Sequence, residues 1–153
     1  MPRPVKKTVS LAAAFWDASG LVPLCCQQIQ TRAARQARRL FPQMIVWWAT
    51  KIECISALRR LERAQALTAQ EAQQALQELD RLCIRWTEVV PLDEVREGAE
   101  FLLGRHDLHA ADSMQLAAAL VWCNSHPKGR TFIGGDDRLL DAAKREGFKI
   151  LRI

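Results

Sequence analysis

The sequence predicts an α/β fold in which a mainly parallel five-stranded sheet is flanked by helices. Five short apolar segments alternate with longer helical segments, which is typical of parallel sheets covered on both faces. The C-terminal part contains a clear strand–helix–strand unit. Because 153 residues suffice to bury a core without disulfides, residues 1–153 are expected to form one domain with right-handed crossovers.

The predicted elements follow from apolar periodicity and from residues that cap or stop helices. The first strand is an apolar run closed by Asp17, Pro42 ends the first helix, and Thr68 with Glu71 forms a capping box. Asp107 is the expected cap of a later helix. In chain order, the expected strands are 10–16, 43–48, 85–90, 131–135 and 148–153, and the expected helices are 22–40, 49–67, 68–82, 93–104, 107–124 and 137–145.

The chain is basic, with 22 Lys and Arg against 17 Asp and Glu, a net charge of +5 and a pI of about 9.2. Such a balance favours an anionic partner, either nucleic acid or a membrane surface, but it also serves solubility alone. One face of the first helix carries four arginines, and this face is either simply solvated or in contact with RNA. These residues are Arg32, Arg35, Arg38 and Arg39.

The cysteines and the chain start bear on the cellular compartment. The five cysteines have no C-x-x-C spacing and are interpreted as reduced core thiols, and no Cys or His spacing predicts structural zinc. Lys6 and Lys7 precede an apolar run that superficially resembles a signal peptide, but the run is short and no segment approaches the roughly 20 apolar residues of a membrane span. A cytoplasmic protein without membrane association is expected. The cysteines are Cys25, Cys26, Cys54, Cys83 and Cys123.

Four acidic residues are expected to meet at one edge of the sheet. Asp17 and Asp136 each follow a predicted strand, and the carboxyl ends of parallel strands form the usual ligand site of such sheets. Glu53 lies near the start of a helix, off its apolar stripe and beside small residues, so that its carboxylate can face a crevice. That stripe is Ile52, Ile55, Leu58 and Leu61.

Asp112 is the most unusual acidic residue, because it falls on the apolar face of its helix between Leu108 and Leu116. A carboxylate there is costly unless it is paired or bound to metal, and the alternative is a buried Asp bonded to the backbone or to an Arg. Asp137 and Asp141 have ordinary explanations as first-turn or exposed helix residues.

The four acids together predict a divalent-metal centre. Convergent carboxylates repel one another unless cations compensate, and oxygen ligands without Cys or His select Mg²⁺ or Mn²⁺. Two such ions, about 3.5 to 4 Å apart in the usual arrangement, support hydrolysis of a phosphodiester. Surrounding Arg and Lys would hold the polyanion.

Four stretches cover nearly the whole chain in a recognisable order, namely WDASGLV at 16–22, ECISAL at 53–58, HAADSMQLA at 109–117 and FIGGD at 132–136. In these stretches the chain resembles the PIN-domain ribonucleases, in particular the VapC-type toxins of bacterial type II toxin–antitoxin pairs. The resemblance implies a PIN-like α/β/α sandwich with Mg²⁺ or Mn²⁺ at an acidic quartet. The quartet corresponds here to Asp17, Glu53, Asp112 and Asp136, with Ser19 as a small polar residue near the metal.

The resemblance further implies an RNA substrate, a homodimer, and an antitoxin protein whose tail covers the active site. The chain departs from the family at Gly134, where a Thr or Ser hydroxyl often supports the site, and this change can weaken the nuclease. Asp137 could replace Asp136, although the pattern of Leu139 and Ala142 aligns Asp136 better.

Two further interpretations remain open from the sequence. The chain can be a PIN-like RNA-binding module that does not cut, or a PIN-type nuclease outside toxin–antitoxin systems, including one that acts on DNA. The tryptophans are predicted to be core or dimer contacts rather than base-stacking platforms. These are Trp47, Trp48, Trp86 and Trp122.

Overall fold

The computed structural model describes residues 12–153, so the predicted strand residues 10 and 11 and the basic start of the chain lie outside the described residues. The strands are β1 Ala13–Trp16, β2 Gln43–Trp47, β3 Thr87–Val89, β4 Thr131–Gly134 and β5 Lys149–Arg152. The helices are α1 Ala18–Cys25, α2 Thr31–Leu40, α3 Thr50–Arg63, α4 Ala69–Cys83, α5 Asp93–Arg105, α6 Ala110–Trp122 and α7 Asp137–Glu146.

The five strands form one sheet in the order β3-β2-β1-β4-β5, and every neighbouring pair is parallel. The prediction of a mainly parallel sheet flanked by helices is therefore confirmed. Strands β2 and β3 lie on one side of β1, and β4 and β5 lie on the other side, so the strand order reverses at β1. This reversal opens a crevice beyond the carboxyl ends of β1 and β4, where parallel α/β proteins bind ligands.

The two faces of β1 serve two separate hydrophobic cores. Phe15 stacks on Phe132 of β4 with ring centroids 5.2 Å apart, in the core formed with α5, α6 and α7. Ala14 and Trp16 point to the opposite face and join the core formed with α1, α3 and α4. Because all three residues are fully buried, β1 has no polar face, which explains its continuous apolar sequence.

The predicted helix over 22–40 is two helices, α1 and α2, so the prediction of a single helix is wrong. The buried Thr31 produces the break, because its hydroxyl donates to Pro23 O at 2.7 Å and accepts from Gln28 N at 2.8 Å. These bonds satisfy backbone groups near the end of α1 and turn the chain into α2. Periodicity does not reveal them, since they join residues across the turn.

Of the two helix caps predicted from the sequence, one forms and one does not. The capping box of Thr68 and Glu71 is present as predicted. Asp107 does not cap the later helix, which begins at Ala110 after His109. The predicted role of Asp107 is wrong because the helix begins three residues later, and the exposed Asp107 carboxylate lies 3.5 Å from Arg138.

The aromatic and sulfur side chains are distributed mainly in the cores. Trp47 and Trp86 are buried as predicted, whereas Trp48 is 51% exposed and Trp122 is half-buried.

Three of the five thiols are buried, and burial raises the pKa of Cys25 to about 12, so that this thiol stays protonated and unreactive. Within residues 12–153 no helix combines the length and apolarity needed to cross a membrane.

Replacing Thr31 with Val should lower the free energy of unfolding by about 1 to 3 kcal/mol, because the buried partners of its hydroxyl lose their hydrogen bonds. Urea unfolding measures this change. Thr87→Val is the control, since Thr87 is exposed on an edge strand and should change stability by less than about 0.5 kcal/mol. Equal effects of the two substitutions would contradict the role assigned to Thr31.

Candidate active site

An open cleft with a volume of about 850 Å³ lies at the carboxyl edge of the sheet. Its walls come from the turns after β1 and β4, from one face of α3, from the start of α6 and from the loop before α2. All four acids predicted from the sequence line it, together with the predicted supporting serine. These residues are Asp17, Ser19, Glu53, Asp112 and Asp136.

Asp17 is fixed at the end of β1 by bonds to both neighbouring segments. Its backbone N donates to Ile133 O at 2.9 Å, which continues the ladder to β4. Its carboxylate accepts from Ser19 N at 3.3 Å and from the Ser19 hydroxyl, and thereby caps α1. The Ser19 hydroxyl also accepts from Gly135 N at 2.8 Å. Ser19 therefore connects the first acid to the segment that carries the last acid.

Gly134 lies so close to this pair of residues that a side chain there would make tight contacts. A Cβ at position 134 would stand 3.2 Å from Asp17 Oδ2 and 3.4 Å from Ser19 Oγ. The glycine at this position has a local reason, since it lets β4 approach the Asp17 carboxylate without a tight contact. A hydroxyl side chain at this position would require Asp17 or Ser19 to shift.

Glu53 is held by a buried glutamine that the sequence reasoning missed. Gln115 is fully buried on α6, and its Nε2 donates to Glu53 Oε1 at 3.1 Å and to Thr50 Oγ1 at 3.1 Å. A glutamine within a run of Leu and Ala three residues after Asp112 was the available signal. It shows that α6 supplies a positioning contact as well as a carboxylate.

Ile52 is 64% exposed and lines the cleft, so its predicted place in the apolar stripe of α3 is wrong. Leu58 is buried as predicted, and Ile55 and Leu61 are partly buried against the core. The fully buried residues of α3 are Thr50, Cys54 and Leu58, which lie four residues apart. This rotation of the buried face turns Glu53 and Ile52 toward the cleft.

Asp112 and Asp136 occupy helix starts on the wall of the cleft. The Asp112 side chain is 26% exposed and has His109 Nδ1 at 3.8 Å, with no arginine at salt-bridge distance in the described part of the chain. Residues 12–153 therefore show no Asp–Arg pair, whereas the other form of the alternative, a backbone bond, is present in part, because the backbone of His109 lowers the pKa of Asp112 against the larger effect of burial. Asp136 accepts from Leu139 N at 2.9 Å and so caps α7.

The neighbouring acids have the ordinary roles expected of them. Asp137 pairs with Arg152, and Asp141 pairs with Arg145 at 3.0 Å, and neither lines the cleft. Asp136 is thus the acid after β4 that faces the cleft.

The surroundings of three acids in the cleft, namely Asp17, Glu53 and Asp112, disfavour their charged forms. Burial raises the pKa of Asp17 to about 6, against the bonds from Ser19 and with a small contribution from the charge of Asp112. Burial likewise raises the pKa of Glu53 to about 7, opposed by Gln115 and reinforced by Asp17 and Asp112. The pKa of Asp112 is raised by burial and then by the charge of Asp136. The negative charge of a neighbouring acid therefore adds to the effect of burial at each of these three carboxylates.

The donor set fits a hard divalent cation, although the side chains do not form a ready-made metal site. Within residues 12–153 no three His, Cys, Asp or Glu side chains stand in the geometry that would hold a metal ion. Each of three acids is engaged by a local donor, namely a bond from Ser19, Gln115 or Leu139. Each carboxylate keeps further lone pairs, and oxygen ligands are those that Mg²⁺ and Mn²⁺ prefer. The four acids could hold such an ion and relieve their repulsion.

Two solved structures share the architecture. A toxin–antitoxin complex from Klebsiella pneumoniae matches with a TM-score of 0.54 and 18% identity, over 81% of this chain and 87% of that chain. The crystal structure of PAE2754 from Pyrobaculum aerophilum matches with a TM-score of 0.58 and 20% identity, over 92% and 90% of the two chains. The chain has a PIN-like α/β/α fold. No protein-family model matches it, and the curated proteins gave no match.

Replacing Asp112 with Asn should stabilise the metal-free protein at neutral pH. Because the folded-state pKa values of the PIN-like cleft lie above the ordinary values, the folded state binds more protons, and stability is lost as pH rises from about 4 to about 7. Asp112→Asn removes one of the repelling charges. We expect the melting temperature in EDTA to rise by a few degrees at about pH 7.5 and to change little at about pH 4.

Asp141→Asn, which removes an exposed carboxylate on α7, is the matched control and should show no such pH-dependent gain. An equal gain at both pH values, or the same gain in the control, would contradict the cost that burial and neighbouring charge impose on the Asp112 carboxylate.

Proposed function

We propose that the protein is a divalent-metal-dependent endoribonuclease and the VapC-type toxin of a toxin–antitoxin pair. The observation that carries the proposal is the presence of four carboxylates in one cleft at the carboxyl edge of a PIN-like sheet. The net charge of +5 adds to it, because a basic chain around an acidic cleft suits a polyanionic substrate that is held at a distance and cut at one phosphate.

The proposed site divides its work among residues of the cleft. When bound, Mg²⁺ or Mn²⁺ would supply an activated water and neutralise charge on the cut phosphate. Asp17, Glu53, Asp112 and Asp136 would provide the oxygen ligands. Ser19 orients Asp17, since its hydroxyl bonds both Asp17 and Gly135 N.

Arg60 is the cationic residue on the wall of the same cleft. It lies on the α3 face that carries Glu53, seven residues further along, which corresponds to about 10 Å along the helix axis. It is exposed, and no carboxylate of residues 12–153 lies at salt-bridge distance. A guanidinium at this place can hold a phosphate next to the one that is cut, with two parallel hydrogen bonds.

The partners proposed with this function are RNA, a second copy of the chain and an antitoxin, in the cytoplasm. The toxin–antitoxin complex with the same fold supports the antitoxin. Exposed apolar side chains provide area for protein contacts, with Ile52 at the cleft and Trp48 and Phe101 elsewhere. We assign the antitoxin to the cleft, because a bound segment there would exclude substrate from the acids.

A second candidate function is an RNA-binding module of the same fold that does not cut. The observation that favours it is the local engagement of Asp17, Glu53 and Asp136 by protein donors, together with the lack of a preformed metal group among residues 12–153. Binding of RNA without cleavage at any metal concentration would establish this candidate.

Asp112→Asn should abolish metal-dependent cleavage, by at least about a hundredfold, because it removes one charged ligand without removing a core contact. The measurement is cleavage of a mixed single-stranded RNA pool by purified protein with Mg²⁺ or Mn²⁺. Parallel reactions with EDTA and with Asp141→Asn separate the cleft from contaminating nuclease and from a general loss of charge. Full activity of Asp112→Asn would overturn the assignment of the four acids.

Arg60→Gln should raise KM for RNA about tenfold or more while kcat falls less, since a contact to a phosphate beside the cut one acts mainly in binding. Arg63→Gln is the control, because Arg63 is also exposed on the last turn of α3 and does not line the cleft. Steady-state kinetics on a labelled RNA give both constants. A loss in kcat with unchanged KM would place Arg60 in the chemical step and not in binding.

A further inference from the structure

The segment that leads from the cleft into α2 has an extreme charge balance. Residues 18–52 contain no Asp or Glu and include five basic residues, so that the segment between the first two acids of the cleft carries only positive charge. Lys51 is paired with Asp80 at 2.8 Å. The other four basic residues are the arginines of α2, namely Arg32, Arg35, Arg38 and Arg39.

Three of these arginines form one exposed stripe along α2. Arg32, Arg35 and Arg39 follow one another at spacings of three and four residues, and all three are exposed. Among residues 12–153 no carboxylate pairs with any of them. We call these three residues the arginine stripe. Like charges at this spacing destabilise a helix slightly, so the stripe gains nothing for α2 itself.

The stripe begins at the wall of the cleft. Gln28 and Gln30 line the cleft, and Thr31 starts α2 directly after them. The Thr31 hydroxyl bonds to Pro23 O and Gln28 N, which fixes the direction in which α2 leaves the cleft. The ten residues of α2 extend about 15 Å, so the stripe continues the cleft by roughly that length.

We propose that the arginine stripe of α2 is the docking surface for the backbone of single-stranded RNA on its way into the cleft. This inference rests on the proposed function and names the path of the substrate. Guanidinium groups suit phosphates because they form paired hydrogen bonds with them, and an unpaired basic stripe that continues a phosphodiester cleft is complementary to a polyanion.

The other face of α2 argues against a membrane surface as the partner. Membrane-bound amphipathic helices insert an apolar face into the lipid. The apolar face of α2 is occupied, because Ala34 and Ala37 are buried against the protein with exposures of 0% and 2%. Among the described residues, the exposed surface of α2 carries the arginines and a single large apolar side chain, Leu40 at the end of the helix, which is too small an area to insert into lipid.

The experiment compares Arg32→Gln/Arg35→Gln/Arg39→Gln with Lys128→Gln/Lys144→Gln/Lys149→Gln. Both triple variants lose three positive charges from exposed positions. The lysines lie at the edge of the sheet opposite the cleft, near the starts of β4 and β5 and at the end of α7. Gln keeps a good helix propensity in α2. Circular dichroism and melting temperature first establish that both variants are folded.

Binding of a labelled single-stranded RNA is then measured by fluorescence anisotropy in EDTA, over a series of salt concentrations. If three phosphate contacts are lost, the slope of log Kd against log salt should fall by about 2, and Kd at about 0.1 M salt should rise ten- to a hundredfold. The lysine variant should bind about as wild type does. Equal losses in both variants, or unchanged binding by the arginine variant, would overturn the proposal.

A poly-glutamate peptide in the same assay represents an acidic protein partner. If the arginine variant binds RNA as wild type does but no longer binds the peptide, the RNA proposal is overturned in favour of such a partner. Because EDTA excludes metal-dependent cleavage, these results do not depend on the nuclease activity. RNA binding through the stripe by a protein that never cuts would sustain the docking surface and refute the proposed nuclease.

Discussion

The burial of carboxylates beside one another is the constraint on which the rest of this cleft depends. The fold creates it, because Asp17 follows β1 and Asp136 follows β4, and these adjacent parallel strands end at the same edge. Helices α3 and α6 then add Glu53 and Asp112. For Asp17, Glu53 and Asp112, burial is the largest cause of the raised pKa, and neighbouring charge adds to it. An arrangement that costs folding energy in this way is characteristic of functional sites.

Contacts from the surrounding structure hold the acids in place although their burial is unfavourable. Ser19 ties Asp17 to Gly135, and Gly134 allows β4 to approach within contact distance of the carboxylate. Gln115 performs the corresponding task for Glu53 from the interior of α6. These supports come from different parts of the chain, so the geometry of the cleft depends on the complete fold.

Most of the architecture could be predicted from the sequence because it follows from local patterns. Apolar runs and helix signals gave the order of the elements, and the position of acids after strands indicated which edge of the sheet carries the cleft. The break between α1 and α2 could not be predicted, since it depends on bonds that Thr31 makes across the turn. The ion pair of Asp107 and the contact of Gln115 with Glu53 were missed for the same reason, because both partners are distant in sequence.

We propose that the cleft binds a divalent metal through its four acids. Crystals of the protein grown with Mn²⁺ test it directly, because anomalous scattering locates manganese independently of the surrounding atoms. The account predicts anomalous density inside the cleft in contact with at least two of the four carboxylates, and its disappearance in Asp112→Asn. A protein that stays free of manganese in this cleft at millimolar concentrations, or one that binds it elsewhere, would contradict the account.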